Sequence, residues 1–241
     1  MHTPRWLVLL PVLTFYAAFC DELAFKPGCT REQLQACGSD YLVYNNVTTL
    51  PEDGKEFEEN CVFLQMQISC TLEFAKTCLD GVPRAAIIIA LQSMEEEYEA
   101  ICTEGTEQSE SYHKSIACMN KAGKEINQCQ AKMRDKMEIG LLVAPQEKTV
   151  GYACCAYHDT QDCVDDNLDG CSDTPAKEFM RNIMDKVFGE PLSLICGQYT
   201  RNSEACRSLP KLAAPTDSND FGKKGLIELA IDYAGAFFTR H

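Results

Sequence analysis

The chain has 241 residues, of which 15 are cysteine, and its 36 acidic and 22 basic side chains give a net charge of −14. This acidity argues against nucleic acids and anionic membranes as partners, because proteins bind both through patches of Lys and Arg. Hydrophobic residues make up 45% of the chain, so we expect a buried core and not a globally disordered protein.

The first twenty residues have the organisation of a secretory signal peptide. Arg5 precedes an uncharged apolar run from Trp6 to Phe15, and small residues around Ala18 suit cleavage before Asp21. Cleavage there would remove Cys20 and leave fourteen cysteines, an even number that predicts up to seven disulfides in an oxidising compartment. We therefore expect a secreted, extracellular protein, and no further segment is long and apolar enough to span a membrane.

The remaining cysteines repeat. The first set is Cys29, Cys37, Cys61, Cys70, Cys78 and Cys102, and the second is Cys118, Cys129, Cys154, Cys163, Cys171 and Cys196. Corresponding members lie 89 to 94 residues apart, and three consecutive offsets are 93. This spacing predicts a tandem duplication. Residues 21–117 form a first unit and 118–209 a second, followed at 210–241 by a linker and a C-terminal amphipathic helix.

Each unit is predicted to be helical, which makes the fold class all-α, a disulfide-stapled helical bundle. Thr30 and Gln33 form a capping box, and no Pro interrupts residues 53–79. Apolar residues then recur with helical spacing. They are Ile87, Leu91, Met94, Tyr98 and Ile101, then Tyr112, Ile116, Met119, Ile126, Met133 and Met137 in a long helix interrupted at Gly123, and Phe179, Ile183 and Val187 after the Thr174–Pro175 start.

Helical geometry also bears on the disulfides. Cys61 and Cys70 lie nine residues apart, half a turn out of phase, so a central helix could be stapled on both sides. Six cysteines allow fifteen pairings, and the spacing does not select one. Cys155 and Cys206 have no counterpart in the first unit. A bond between the adjacent Cys154 and Cys155 would be strained, so we predict that Cys155 pairs with Cys206.

One motif resembles a catalytic site. Cys154, Cys155, His158, Asp159 and Cys163 resemble the active-site helix of secreted phospholipases A2, in which the His activates water and the Asp holds Ca²⁺. The last Cys comes four residues after Asp159 instead of two, and no glycine-rich calcium loop precedes the motif. We therefore expect no enzyme activity and no catalytic residue, and a degenerate calcium-dependent phospholipase is the least favoured alternative.

Metal sites are weakly indicated. Asp165, Asn167, Asp169 and Gly170 match the start of an EF-hand loop, but Ala176 stands where the bidentate Glu belongs. The segment from Asp159 to Asp173 leaves weak calcium binding open. Only three histidines follow the signal peptide (His113, His158 and His241), and the cysteines are better used in disulfides than on zinc. No metal and no cofactor is predicted.

Asn46 begins the single glycosylation sequon, Asn46-Val-Thr48. The signal peptide, mature size, helical pattern, sequon and recurring Cys-x8-Cys-x7-Cys together resemble the 27-kilodalton haemolymph glycoproteins of arthropods, over most of residues 21–209. The resemblance implies a secreted, non-enzymatic glycoprotein of body fluid and carries over no functional residues.

The leading functional hypothesis is a disulfide-rich extracellular interaction or carrier protein whose partner is unknown. The alternative is a binder of small apolar ligands between helices. Flexible methionines would line such a site, although the same residues suit a core: Met66, Met94, Met119, Met133 and Met137.

Overall fold

The computed structural model describes residues 25–189, 192, 195–215 and 221–238. The predicted signal peptide, residues 1–20, lies outside these residues. The described residues form nine α-helices and no β-strand. The helices are α1 (Arg31–Ala36), α2 (Gly54–Cys78), α3 (Gly81–Cys102), α4 (Glu107–Lys121), α5 (Gly123–Val143), α6 (Thr149–Asn167), α7 (Ala176–Met184), α8 (Glu204–Arg207) and α9 (Leu226–Phe238). The all-α prediction is confirmed.

Local sequence signals place several of these helices. The Thr30 hydroxyl accepts the N–H of Gln33, and the Gln33 side chain accepts the N–H of Thr30, which completes the predicted capping box of α1. The apolar stripe predicted for α3 is buried along its whole length, from Ile87 to Ile101.

The long helix predicted around Gly123 is two helices, α4 and α5, which meet at Ala122. Gly123 lies against the backbone carbonyl of Thr48, and a side chain there would collide with it. Close approach of two backbones therefore accounts for the glycine at this junction. The apolar residues predicted on both sides of the break, including Met119 and Ile126, are buried.

The helices pack around one main hydrophobic core, and a small second cluster joins Val150, Cys154 and Cys196. α2 packs along α3, α5 packs along α6, and α4 lies against both α3 and α7. A single cluster of buried side chains includes Leu72 and Leu91 from the first unit and Val164 and Met180 from the second. The predicted boundary between residues 117 and 118 falls within α4. The two units thus share a helix and a core.

Seven disulfides hold the bundle, and the two sets of six cysteines pair in the same order. The first member bonds to the fifth, the second to the fourth and the third to the sixth. In the first unit the bonds are Cys29–Cys78, Cys37–Cys70 and Cys61–Cys102. In the second they are Cys118–Cys171, Cys129–Cys163 and Cys154–Cys196. The predicted seventh bond, Cys155–Cys206, is present.

This pairing shows how each unit is stapled. In the first unit, Cys61 fastens α2 to the end of α3, and Cys70 fastens it to the end of α1. In the second, Cys154 and Cys163 fasten α6 to the segment after α7 and to α5. The central helix of each unit is therefore stapled on two sides, as the half-turn spacing predicts.

The C-terminal helix differs from its sequence-based description. The pattern predicts an amphipathic helix, but α9 is buried on most sides, and Leu229, Ile231 and Tyr233 all lie in the core against α3, α5 and α6. Of its two acidic residues, Glu228 is buried and Asp232 is mostly covered. Glu228 pairs with Arg31 at 2.9 Å, and Asp232 pairs with Lys224 at 2.8 Å. Neighbouring elements therefore cover both carboxylates of this helix.

Candidate functional site

The second unit contains an open cleft of about 410 Å³. α6 contributes Tyr157, His158 and Gln161 to one wall. The opposite wall follows α7, where the chain leaves α-helical geometry and forms a π-helical turn from Asp185 to Gly189. Leu192, Cys196, Gly197 and Thr200 complete the described lining. Single π-helical turns occur frequently at functional sites, and this volume lies within the usual range of ligand pockets.

A chain of hydrogen bonds organises the polar side of the cleft. Asp185 Oδ1 accepts the Tyr157 hydroxyl at 2.8 Å and the Gln161 side-chain N–H at 2.8 Å. The same Gln161 nitrogen lies 3.0 Å from the Tyr157 oxygen. Gln161 Oε1 lies 3.0 Å from His158 Nδ1. Because the Gln161 nitrogen faces Asp185, its oxygen is left to accept from His158 Nδ1–H. In the neutral imidazole, Nε2 is then the ring nitrogen without a proton.

Burial fixes the protonation of one member of this chain. Tyr157 is only 3% exposed, and this burial raises the pKa of its hydroxyl well above the ordinary value. The hydrogen bond to Asp185 and the negative charge of that residue raise the pKa further. Tyr157 therefore stays protonated at physiological pH and donates to Asp185, which holds the carboxylate in one orientation.

The cleft does not contain the catalytic arrangement that the phospholipase-like motif suggests. His158 Nδ1 faces the Gln161 amide and not a carboxylate that would orient it as a general base. Asp159, the proposed calcium ligand, bonds to Lys136 at 2.6 Å. Among the described residues, no carboxylate is hydrogen-bonded to His158, and the neighbouring Asp159 is engaged by Lys136.

The acidic segment is engaged in ion pairs. Asp162 bonds to Arg201, Asp169 to Lys177, and Asp165 to both Arg181 and Arg201, at 2.7 Å and 2.9 Å. Burial alone would raise the pKa of Asp165, but hydrogen bonds from the two arginines outweigh it and hold that pKa below its ordinary value. Within the described residues, no three His, Cys, Asp or Glu side chains are close enough together to hold a metal ion.

His113 and Asn46, two other residues that the sequence singles out, do not line the cleft. His113 packs against Phe57 and Tyr112, and its Nδ1 lies 3.0 Å from the carbonyl oxygen of Glu52. His241 lies outside the described residues. Asn46 is exposed, and its side-chain nitrogen donates to Asp40 Oδ1 at 2.9 Å.

The methionines are not gathered around a ligand cavity. Met94, Met119, Met133 and Met137 are buried in the core, whereas Met66 is 61% exposed on α2. The apolar cavity between α2, α3, α4 and α7 measures about 20 Å³, roughly the space of one water molecule. The four buried methionines therefore serve as core packing.

Sequence reasoning identified His158 but missed Tyr157, Gln161, Asp185 and Thr200. A signal for two of them is present in the duplication. At the offset of 93 that relates Cys61 to Cys154, Tyr157 and Gln161 replace Leu64 and Ile68. Both counterparts are buried in the core of the first unit. The cleft of the second unit therefore lies where two polar side chains replace two buried apolar ones on the same face of the helix.

Every cysteine among the described residues is in a disulfide. No helix in the described part of the chain has the length and apolar character that a bilayer crossing requires. Comparison of the chain with family models, curated proteins and solved structures finds no match.

Proposed function

We propose that the protein is a secreted, non-enzymatic, disulfide-rich glycoprotein that acts outside the cell as a carrier or interaction protein. The observation that carries the proposal is the set of seven disulfides, which leaves no free thiol among the described residues. Disulfides of this number form and persist in oxidising compartments and are rare in the cytosol. The proposed signal peptide and Asn46 glycan agree with that route.

The cleft favours a carrier over a protein that acts only through its outer surface. It offers an exposed carboxylate that accepts two hydrogen bonds, an imidazole nitrogen and an apolar edge within about 410 Å³. The alternative of an apolar ligand held between helices has less support, because the four buried methionines pack the core and the cavity beside it has room for about one water. Membership of the haemolymph glycoproteins is part of the proposal, and it rests on the predicted signal peptide, the mature size, the helical pattern, the recurring cysteine spacing and the sequon.

Expression of the full chain in cultured eukaryotic cells tests the proposal. We expect the protein in the medium, beginning at Asp21, with seven disulfides and a glycan that Asn46→Gln removes. Native mass spectrometry of the secreted material should show an added small-molecule mass that is lost on denaturation. Retention inside the cell with reduced cysteines would contradict the extracellular role, and a secreted protein with no bound mass after exposure to body fluid would contradict the carrier role.

A further inference from the structure

We propose that the cleft of the second unit binds a small organic amine in its protonated form, with the ammonium group on Asp185 and the apolar part toward Leu192 and Cys196. The proposal rests on the carrier role and adds the chemical class of the ligand. Four features of the cleft support it.

The first feature is a carboxylate that is held in place without a cation. Asp185 Oδ1 accepts two hydrogen bonds, and both donors, Tyr157 and Gln161, are buried. No ion pair joins Asp185 to a Lys or Arg among the described residues, and Oδ2 has no hydrogen-bond partner there. A preorganised carboxylate with a free oxygen suits an ammonium donor, since charge-assisted hydrogen bonds are among the strongest.

The second feature is that the neighbouring cations are already engaged. Arg181, whose charge also reaches Asp185, donates to Asp165. Arg201 donates to Asp165 and Asp162, and Lys186 of the π-helical turn pairs with Glu97 of α3. The nearby positive charges are therefore paired with other carboxylates. A ligand's ammonium group would give Asp185 the positively charged partner that it does not have among the described residues.

The third feature is the mixture of acceptors and apolar surface. His158 Nε2 is the free ring nitrogen, and the Thr200 hydroxyl has no side-chain partner among the described residues. Both are hydrogen-bond acceptors in the lining of the cleft, where a polar ligand can meet them. Leu192 and the Cys154–Cys196 disulfide add an apolar edge, which suits an amine that carries an aromatic or aliphatic group.

The fourth feature is the contrast with the first unit. There, Leu64 and Ile68 occupy the positions of Tyr157 and Gln161, and α3 continues as an α-helix to Cys102. The disulfide framework does not require the polar chain, because the first unit has the same pairing without it. Binding of a ligand would explain why the second unit has these polar residues, which the disulfide pairing does not explain.

Isothermal titration of the purified, disulfide-bonded full chain with 2-phenylethylamine tests the inference. The neutral 2-phenylethanol and the anionic phenylacetate serve as matched probes of the same shape. We expect saturable binding of the amine with a dissociation constant of about 1 mM or below, and at least about tenfold weaker binding of the other two. Equal binding of amine and alcohol, or no saturation by the amine at about 10 mM, would overturn the proposal.

Two variants locate the site. Asp185→Asn should weaken amine binding about tenfold, because an amide cannot neutralise the ammonium charge. Asp166→Asn is the matched control: it removes the same charge from an exposed residue of α6 outside the cleft, and the affinity should stay within about twofold. An Asp185→Asn protein that still binds the amine normally would overturn the proposal, and the probe series on the unaltered chain decides the case if this variant does not fold. Neither result bears on secretion or on binding of another partner, which the secreted material tests separately.

Discussion

The two units have the same disulfide pairing but differ in their main helices, which are α2 and α3 in the first unit and α6 and α7 in the second. In the first unit, α2 and α3 are both long, and α3 reaches Cys102 without a break. In the second unit, α7 ends at Met184, a π-helical turn follows, and an open cleft lies beside α6. The second unit also has the additional bond from Cys155 to Cys206.

This difference teaches that the disulfides fix which elements are neighbours but not how tightly they pack. Cys61–Cys102 and Cys154–Cys196 span 41 and 42 residues, so they restrict the unfolded chain equally. Cys61–Cys102 joins α2 and α3, which pack along each other, whereas Cys154–Cys196 borders the open cleft. The shared disulfide pairing therefore tolerates local differences between the two units. The residues that differ are the best candidates for function.

Loss of a matched disulfide should have the largest effect. Replacing Cys61 and Cys102 together by Ala, or Cys154 and Cys196, removes a loop of the same size, worth roughly 4 kcal/mol on the loop-entropy model. We expect chemical denaturation to show a greater loss of unfolding free energy in the second unit, because Cys154 and Cys196 are 0% and 6% exposed whereas Cys102 is only partly buried. A greater loss in the first unit would show that other contacts around the Cys61–Cys102 bond outweigh this difference in burial.

The bond that only the second unit has should matter less. Cys206 lies in α8, which has no buried residue, so the double variant Cys155→Ser/Cys206→Ser frees a segment that contributes little packing. Because Cys154–Cys196 already closes most of the 51-residue loop, this bond adds a loop of only about a dozen residues. We expect a loss of about 2–3 kcal/mol in the free energy of unfolding and new proteolytic cleavage between residues 199 and 209. The Cys154–Cys196 variant is the comparison. If cleavage appears at α2 or α3 instead, the bond has a global role.

Asp165 tests a second contrast between the units, since its counterpart at the offset of 93 is the buried Leu72. Asp165→Asn leaves Arg181 and Arg201 without their shared carboxylate, although both arginines reach solvent and can be hydrated. We expect a loss of about 2 kcal/mol in the free energy of unfolding. The exposed Asp166→Asn should cost less than about 0.5 kcal/mol. Equal values for the two would mean that the ion-pair cluster is not stabilising.

The response to pH should separate α9 from α6. Burial raises the pKa of Glu138 in α5 and the pKa of Asp232 in α9. The N–H of Gly222, which donates to Glu138, and the charge of Lys224 lower these pKa values but do not outweigh burial. The folded state then binds these protons more tightly than the unfolded chain, so their contribution to stability rises as the pH falls from 7 toward the ordinary carboxyl values near 4. Asp165 has the opposite sign: its contribution is present above its ordinary value and is lost as the pH falls through its lowered pKa.

Hydrogen exchange of α9 and α6 amides, corrected for intrinsic rates, measures this difference. We expect protection of α9 to increase between pH 7 and pH 5 while that of α6 stays constant. Protection of α9 that instead decreases over this range would mean that Lys224 and Arg31 outweigh burial at these carboxyls.

The sequence predicted the frame better than the site, for a physical reason. Periodicity and cysteine spacing are local patterns, so they indicated the helices, the buried stripe of α3 and the Cys155–Cys206 bond. The cleft depends on where α7 ends and on Asp185 meeting Tyr157, a contact across 28 residues that no spacing encodes. The contacts of Glu228 in α9 escape the sequence patterns for the same reason, because Arg31 and Gln35 lie almost 200 residues away.

His158→Gln should have the smallest effect, and it is the direct test of the phospholipase-like motif. Gln65 stands at the equivalent position of the first unit, so the substitution installs a residue that the same frame already accommodates. His158 is partly buried and makes one hydrogen bond, to Gln161, which a Gln side chain can replace. We expect secretion to be unchanged and the free energy of unfolding to change by less than about 0.5 kcal/mol. Assays on mixed phospholipid vesicles with calcium should detect no fatty-acid release from either protein. Calcium-dependent release that the substitution abolishes would establish His158 as a catalytic base and reverse the non-enzymatic assignment.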